Sequence, residues 1–490
     1  MKKSVVAIVA VAVVVGLAGA AVPLAEEYSA RQLKAGIEAD GAATVGSVEV
    51  GLFSRRITLS KLHVTRGGDV SIGHWEASGL AWPLGELLRG RTPLSGLQLG
   101  DPVRAAHLAF SDIRVAADDV SWTIGSVDIE GLDLERYDTT GIGPMQLSAL
   151  SSRIAAALSV RKFEQKQAAY VAPVTGDRFA VGTYTVENFD HGRVGSMALT
   201  GLSAEPKAAS APAFALAELK VSGLDLSRPI KALASPSWRP GLPVGRIGVD
   251  KASASGFSGE ALAHYGISLG GITTETTREG DGISRVQTKI DGFVLAPPAS
   301  GLQAIQIRLV LQAMGLSEIR LGFDCVGREN RPKEEVAVER CALAGPDLGE
   351  LVLSGKVVRA DVVFWKAIDE GNSAALVGSK VALGGAKLVI ADKGLLERSL
   401  KAIATMTGRK PADVRALWAR EIRQFQPAGV LITEDLTKLL DTVARFIETG
   451  GTLTLDAKPD QPVGLDRITY LRIPGPDWVS LLGLSATLAK

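Results

Sequence analysis

The stretch Gly125-Ser-Val-Asp-Ile-Glu-Gly-Leu-Asp-Leu134 alternates apolar and polar residues and then changes phase. Val127 and Ile129 alternate with charged neighbours, a period typical of a half-buried β-strand. After Gly131 the apolar positions shift by one residue, so that Leu132 belongs to the other set. A β-bulge or sharp bend often requires positive φ, which glycine adopts without steric cost. We therefore predict a strand that passes through a glycine-centred irregularity.

The same change of phase at a glycine recurs along the chain. It is found at Gly79, Gly96, Gly201, Gly223, Gly271, Gly292 and Gly385. The spacing between these glycines varies widely, which argues against a solenoid of strict period. We therefore predict a mainly β fold with some α (α+β), built on a long twisted antiparallel sheet or open β-groove.

Composition supports many short strands and limits the classes of partner. Hydrophobic residues make up 46% of the chain and aromatic residues 5%, and the chain has 54 glycines. With 54 Lys and Arg against 53 Asp and Glu, the net charge is only +1. The chain therefore has no global basic field to attract nucleic acid, and we predict no nucleic-acid partner.

The N-terminus has the features of an export signal. Lys2 and Lys3 precede an apolar run over residues 5–24. Twenty helical residues span about 30 Å, enough to cross a bilayer, and the preceding lysines favour a cytoplasmic N-terminus. Two readings stay open: an uncleaved inner-membrane anchor, or a signal peptide cleaved near Ala18-Gly19-Ala20. Both predict that the remaining chain is exported.

Changes in hydrophobic pattern and composition divide the chain into four predicted segments. They are a signal anchor or signal peptide (1–25), a β-rich groove-like domain (26–300), a β-meander continuing the sheet (301–393) and a three-helix segment with returning strands (394–490). Short helices are predicted at 26–40, 83–88, 147–158, 259–264 and 302–309. In the last segment Pro411 marks the first turn of a helix, and Thr433 is predicted to cap another.

Two cysteines flank a charged loop. Cys325 and Cys341 lie on either side of a turn centred near Lys333, so that a hairpin would place them opposite each other. Such a pair lies within disulfide reach, and export favours its oxidation. We predict a disulfide, with two unpaired core thiols as the alternative.

Little in the sequence points to catalysis. Gly266-Ile-Ser-Leu-Gly270 matches the G-x-S-x-G nucleophile pattern, but that motif acts only where a strand turns into a helix, and strand-like residues follow Ser268 here. The histidines are scattered and none has metal-ligand spacing: His63, His74, His107, His191 and His264. We predict no catalytic residue, no metal ligand and no cofactor.

Some of these strands approach the pattern x-G-x-[VI]-x-[LI]-x-G-[LF]-x-[LV]. The segments that carry a family resemblance are Leu52–Val64, Gly125–Leu134, Gly195–Leu202 and Ala217–Leu226. Together with the N-terminal anchor, they make residues 1–300 resemble the AsmA-like and TamB-like envelope proteins of Gram-negative bacteria. The resemblance implies an inner-membrane anchor, a periplasmic β-rich groove and a role in outer-membrane lipid homeostasis or phospholipid transfer.

Three functional hypotheses follow. A long apolar sheet face, where uncovered, would form a trough for acyl chains, which favours a non-enzymatic protein that binds or transfers phospholipid. The alternative is a scaffolding protein that contacts other envelope proteins through sheet edges or its helical segment. A hydrolase that uses Ser268 is the third hypothesis.

Overall fold

A computed structural model of the 490-residue chain places most of the sequence. It describes residues 22–65, 69–80, 98–117, 120–140, 147–172, 175–207, 212–235, 237–239, 241–426, 432–464 and 477–490. The expected span 5–24 therefore lies largely outside the described residues, as do the predicted helix at 83–88 and the glycine at position 96. Within the described residues, no helix combines the length and apolar character needed to cross a bilayer.

The chain forms two compact units. Unit 1 comprises residues 1–213 and 222–242, and unit 2 comprises residues 214–221 and 243–490. The boundaries expected near residues 300 and 393 both fall inside unit 2. Both units are built on an antiparallel sheet, so the mainly β fold with added helices is confirmed.

Unit 1 contains three described helices and nine complete strands. The helices are α1 (22–38), α2 (Leu147–Ala157) and α3 (Ser227–Ala234). The strands are β1 (Ala43–Thr44), β2 (Ser47–Gly51), β3 (Arg56–Val64), β4 (Asp69–Ser78), β5 (Val103–Ala117), β6 (Val120–Leu134), β7 (Leu158–Val171), β8 (Arg178–Asp190) and β9 (Arg193–Glu205). A tenth strand, β10 (Phe214–Asp225), contributes residues to both units.

The sheet of unit 1 is an antiparallel meander. Each strand from β3 to β9 pairs with the next along the chain, while β1 and β2 both pair with β3. Helix α1 covers one face at the β3 end. Its Ala30, Leu33 and Ile37 pack against a buried cluster that includes Ile57 and Trp75. The helix predicted at 26–40 is confirmed.

Glycines and left-handed residues form two lines across this sheet. In line 1 each residue lies opposite the next on the neighbouring strand: Gly46, Lys61, Gly73, Asp112, Gly125, Gln167, Gly182 and Gly201. Line 2 contains Gly79, Ala106, Gly131, Arg161, Asn188 and Gly195. Along both lines every second residue has positive φ, which places one such residue in β3, one directly after β4 and one in each strand from β5 to β9.

Close approach between strands explains the glycines of these lines. A Cβ added to Gly73 would lie 2.8 Å from the Cβ of Asp112, and one added to Gly195 would lie 3.0 Å from the Cβ of Asn188. Each left-handed residue of these lines that carries a side chain therefore has a glycine opposite it on at least one neighbouring strand.

The left-handed residues keep the apolar side chains on one face. Leu62 and Ile72 lie beyond line 1, and Ala105 and Leu132 lie beyond line 2, yet all four belong to the cluster covered by α1. The pairing register is unchanged across both lines, so of the two predicted irregularities, a bulge or a sharp bend, the bulge is wrong for these strands. Positive φ is confirmed at Gly79, Gly131, Gly201, Gly223, Gly292 and Gly385, whereas Gly271 does not have it.

Unit 2 continues with further strands and seven described helices. The complete strands are β11 (Lys251–Gly259), β12 (Ile267–Ser268), β13 (Gly271–Gly280), β14 (Ile283–Leu295), β15 (Ile319–Asn330), β16 (Glu335–Gly345), β17 (Gly349–Val358), β18 (Ala382–Asp392), β19 (Thr452–Ala457), β20 (Val463–Gly464) and β21 (Leu484–Ala489). The α-helices are α4 (Glu260–Tyr265), α5 (Leu302–Ala313), α6 (Val362–Glu370), α7 (Leu395–Thr407), α8 (Pro411–Arg423), α9 (Glu434–Thr449) and α10 (Trp478–Leu482), with a 3₁₀ turn at Ser373–Gly378.

The sheet of unit 2 is again antiparallel, but it contains true bulges. The register shifts between Ile290 and Phe293, next to Gly292, where a bulge was expected. The three helices predicted after residue 394 are confirmed as α7, α8 and α9. The hydroxyl of Thr433 accepts a hydrogen bond from the backbone N–H of Leu436, which confirms the predicted cap.

A buried arginine joins α2 to the loop before it and to the end of α3. Arg153 is 8% exposed and donates hydrogen bonds to the carbonyl oxygens of Asp138 (2.9 Å), Thr140 (2.8 Å) and Ala234 (3.2 Å). A guanidinium group can donate to several acceptors at once because its N–H donors lie in a fixed planar arrangement. Arg153 therefore links three segments of unit 1.

Replacing Arg153 by lysine is expected to destabilise unit 1. The ammonium group keeps the charge but cannot reach all three carbonyl groups, so we expect a loss of about 1–2 kcal/mol in the free energy of unfolding. Arg161→Lys is the matched control, because Arg161 is exposed and pairs with Glu130. Hydrogen exchange of α2 measures the effect, and equal protection in both variants would contradict it.

Candidate apolar binding face

Two rows of side chains run across the sheet of unit 1 between the glycine lines. This middle panel has five residues in each strand from β3 to β9. Directly paired residues share a face. The first row contains Ile57, Ala77, Leu108, Ile129, Phe163, Val186 and Met197. The second row contains Leu59, Trp75, Phe110, Val127, Gln165, Tyr184 and Leu199. We call this side the apolar face.

An aromatic strip extends the apolar face beyond line 1. Trp122, Tyr170 and Phe179 are paired on consecutive strands, with ring centroids 4.9 Å apart for the first two and 5.9 Å apart for the last two. Trp122 is 43% exposed and Phe179 is 46% exposed. Large aromatic side chains that remain so exposed can contact an apolar ligand.

The opposite side of the sheet, the polar face, carries charge. Its ion pairs join Arg104 to Asp133 (2.9 Å), His107 to Asp128 (2.8 Å), Arg161 to Glu130 (2.8 Å) and Lys162 to Glu164 (3.5 Å). These exposed pairs contribute little stability, but they mark the solvated side. The two sides therefore differ sharply in polarity.

Helix α1 covers only one end of the apolar face. The cluster against which it packs reaches as far as Leu108, Phe110 and Leu132. Farther along the sheet, Val127 and Phe163 are only partly buried. Within the described residues of unit 1, no hydrophobic cluster joins these side chains to a covering helix. From β6 to β9 the side chains of the two rows are partly buried, apart from Val186, which is 8% exposed.

The G-x-S-x-G serine lies in the wrong structural context for a nucleophile. Helix α4 precedes Gly266, and Ser268 is an exposed residue of β12 paired with Val294. The motif needs a strand that leads into a helix, and the order here is the reverse. Ser268 is therefore an exposed residue of a strand and does not lie at a nucleophile turn.

A second group with hydrolytic residue types lies at one end of β7 and β8. The Ser159 hydroxyl donates to Asp190 Oδ1 at 2.7 Å, and His191 Nδ1 lies 2.6 Å from the same oxygen. His191 Nδ1 also lies 3.4 Å from the Ser159 oxygen, and Nε2 lies 3.9 Å from Glu135, but the serine hydroxyl donates its proton to Asp190, whereas a catalytic serine would donate it to the imidazole. The group joins the start of β7 to the β8–β9 turn. Nothing in the sequence pointed to this group, because Ser159 and Asp190 are far apart in the chain.

The other histidines have separate surroundings. His63 Nδ1 lies 3.3 Å from Asp69, His107 pairs with Asp128, His264 contacts the ring of Tyr265 and His74 lies in β4. In the described ranges, no group of three or more His, Cys, Asp or Glu side chains is placed to hold a metal ion.

Cys325 and Cys341 lie directly opposite each other on β15 and β16. Their Cα atoms are 3.9 Å apart and the sulfur atoms are bonded in the structure. The register places the pair where the hairpin argument expected it. The oxidation of the two thiols in the native protein stays a prediction.

Hydrogen bonds lower the pKa of four aspartates in unit 1. The donors are Thr140 to Asp138, Thr175 to Asp177, Ser159 to Asp190 and Ser227 to Asp225. A carboxyl group whose folded pKa is depressed stabilises the fold above its unfolded pKa of about 3.9, and this stabilisation is lost as the pH falls through the folded pKa.

We therefore expect unit 1 to lose stability as the pH falls below about 4. Asp225→Asn should weaken this pH dependence, because the amide cannot ionise, while Asp281→Asn is the matched control in a turn of unit 2. Hydrogen exchange of unit 1 at neutral and acidic pH provides the measurement. Stability that stays constant from neutral pH down to pH 3 would refute the expectation.

Comparison with known proteins adds one match. A family model described as an uncharacterized protein matches residues 342–488, which run from β16 into β21 of unit 2. Comparison with curated proteins gives no match. Neither result bears on the apolar face, which lies in unit 1.

Proposed function

We propose that the apolar face of unit 1 binds the acyl chains of a lipid. The observation that carries this proposal is the two-row apolar panel, which extends beyond the cluster packed under α1. Exposing such a surface to water is unfavourable, and acyl chains would cover it without needing specific polar partners. The exposed Trp122 and Phe179 extend the same surface.

The proposed ligand site has the form of an open β-groove lined by strands. Glycine lines 1 and 2 keep apolar side chains on one face over the full length of long strands such as β5 and β6. A strict alternation would send the residues beyond each line to the opposite face. The fold therefore gives a wider apolar surface than regular strands with the same sequence pattern.

We further propose that the protein acts without catalysis in the envelope of a Gram-negative bacterium. The supporting features are the lysines and apolar run at residues 2–24 and the paired Cys325 and Cys341, which suit an oxidising compartment. The proposed location is the inner membrane with the bulk of the chain in the periplasm. A soluble periplasmic form after cleavage is the alternative. The proposed role is phospholipid binding or transfer that supports the outer membrane.

A scaffolding role is the second candidate, and one sheet edge favours it. Within the described residues β21 pairs on one side only, with β19. An unpaired strand edge offers backbone donors and acceptors to a strand of another protein. A partner that protects β21 from hydrogen exchange would support this role.

Lipid extraction tests the proposed function. Residues 26–490 would be produced in a bacterial periplasm, purified without detergent, and extracted for mass spectrometry. We expect phospholipid at a near-stoichiometric level. A monodisperse protein that carries no lipid and takes up none from vesicles would reject lipid binding and favour the scaffolding role.

A further inference from the structure

A cleft lies in unit 2 where β15 and β16 separate. The register between these strands ends at Gly322, which lies opposite Ala344. Before that point, residues 319–321 of β15 pair with β14 alone among the described strands. The turn that joins β16 to β17 lies apart from them and leaves a cleft of about 310 Å³. A cavity of this volume has room for a small organic molecule.

The cleft has apolar walls, and backbone hydrogen bonds hold one of them in place. The apolar residues that line it are Leu316, Ile319, Pro346 and Leu348. The carbonyl oxygen of Leu348 accepts a hydrogen bond from the backbone N–H of Leu395 at 3.1 Å, which ties the β16–β17 turn to the start of α7. Apolar walls favour a ligand with an alkyl portion over a bare metal ion, which needs oxygen ligands on several sides.

The charged residues of the cleft leave one carboxylate without a partner. Glu318 accepts a hydrogen bond from Nε of Arg320 at 2.6 Å, so these two charges offset each other. Asp347 lines the same cleft, is exposed and, among the described residues, forms no ion pair or side-chain hydrogen bond. Arg398 lies nearby, but its guanidinium group donates to the carbonyl oxygen of Gly315 and does not line the cleft. Two carboxylates and one guanidinium group thus give the cleft one net negative charge.

We infer that this cleft binds a primary alkylammonium group through Asp347. The ammonium N–H groups would donate to the carboxylate, and the alkyl portion would lie against the apolar walls. A ligand with a net negative charge would be repelled, because Arg320 is already paired with Glu318. The inference does not depend on the proposed function, since the cleft lies in unit 2 and requires no lipid on the apolar face.

Saturation-transfer NMR with butylamine tests the inference on the full chain, held in an amphipathic polymer. We expect a dissociation constant of about 1 mM for butylamine, which is charged at neutral pH, and about tenfold weaker binding of butanol, which is not. Glycerophosphoethanolamine, added as a competitor, distinguishes the source of the ammonium group. Displacement of butylamine would show that a phospholipid headgroup can supply it, whereas no displacement would restrict the site to soluble alkylamines.

Two variants of the cleft are expected to change the affinity in opposite directions. Asp347→Asn should weaken butylamine binding about tenfold, because the amide carries no charge. Arg320→Gln should strengthen it about threefold, because Glu318 then loses its partner and the cleft gains a second net negative charge. Asp281→Asn is the matched control, since Asp281 is an exposed residue of the β13–β14 turn and does not line the cleft.

Circular dichroism confirms that each variant folds. The inference would be overturned by absence of butylamine binding, by butanol that binds as well as butylamine, by an unchanged affinity in Asp347→Asn, or by a loss of binding in Arg320→Gln. Binding of a pyrene-labelled phospholipid reports the proposed function separately, and we expect it to be unchanged in all three variants. Failure of the wild type to bind that phospholipid would reject the proposed function and leave the ammonium site intact.

Discussion

Val127→Glu is expected to abolish lipid binding, whereas Ser126→Glu is expected to leave it unchanged. Both residues lie in β6, one position apart, and they face opposite sides of the sheet. Val127 lies in the second row of the apolar face, where an unpaired carboxylate would meet the acyl chain. We expect affinity to fall by about a hundredfold or more, because desolvating that charge costs roughly 3 kcal/mol.

Comparing these two variants distinguishes a loss of ligand binding at the apolar face from a general loss of folding. Both add the same charge to the same strand, so general effects of charge on solubility or stability are shared. Circular dichroism and thermal unfolding confirm that each variant folds, and binding of a pyrene-labelled phospholipid gives the affinity. If Ser126→Glu reduces binding as much as Val127→Glu, the ligand does not lie on the apolar face.

Gly131→Val is expected to destabilise unit 1 by about 3 kcal/mol in the free energy of unfolding. Gly131 has φ of 64°, a conformation that a β-branched residue adopts only with strain. Its added Cβ would also lie 3.0 Å from the Cβ of Arg161 on the neighbouring strand. The strain and the close contact act together at the centre of the sheet.

Gly322→Val is the matched control. An added Cβ at Gly322 has no atom within 4 Å, and Gly322 does not have positive φ. We expect a change within about 1 kcal/mol, since valine is well suited to an open position in a strand. Native-state hydrogen exchange reports β6 and β15 separately in the two variants. Equal effects at the two sites would show that the glycine lines have no structural role.

The sequence predicted the strands and their phase changes but not the lines that these changes form. Gly125 and Gly131 are separated by the same interval as Gly73 and Gly79, and as Gly195 and Gly201. This recurring spacing could have revealed two lines of fixed separation. Gln167 and Lys61 could not have been found from their residue type, because neither favours positive φ. Their conformation follows from the glycines opposite them on the neighbouring strands.

The apolar face could be predicted in part. Alternation along β6 identified Val127 and Ile129 as one side of a sheet, and the pairing of neighbouring strands then builds the rows. How much of the apolar face α1 covers depends on where the helix packs. The periodicity of the strands does not predict that position. Gln165 looked like any polar residue of a strand until the register placed it among apolar neighbours. Of the three boundaries between the units, 213/214 and 242/243 lie beside proline-containing stretches, whereas 221/222 falls within β10, where the sequence shows no change in composition.

Photo-crosslinking at two adjacent positions of β6 tests the central proposal most directly. A benzophenone amino acid would replace either Ile129, on the apolar face, or Asp128, on the polar face, in the full chain expressed in bacteria with radiolabelled phosphate. We expect irradiation to attach labelled phospholipid to the protein carrying the probe at position 129 and not at position 128. Equal labelling at both positions, or none at position 129, would contradict lipid binding by the apolar face.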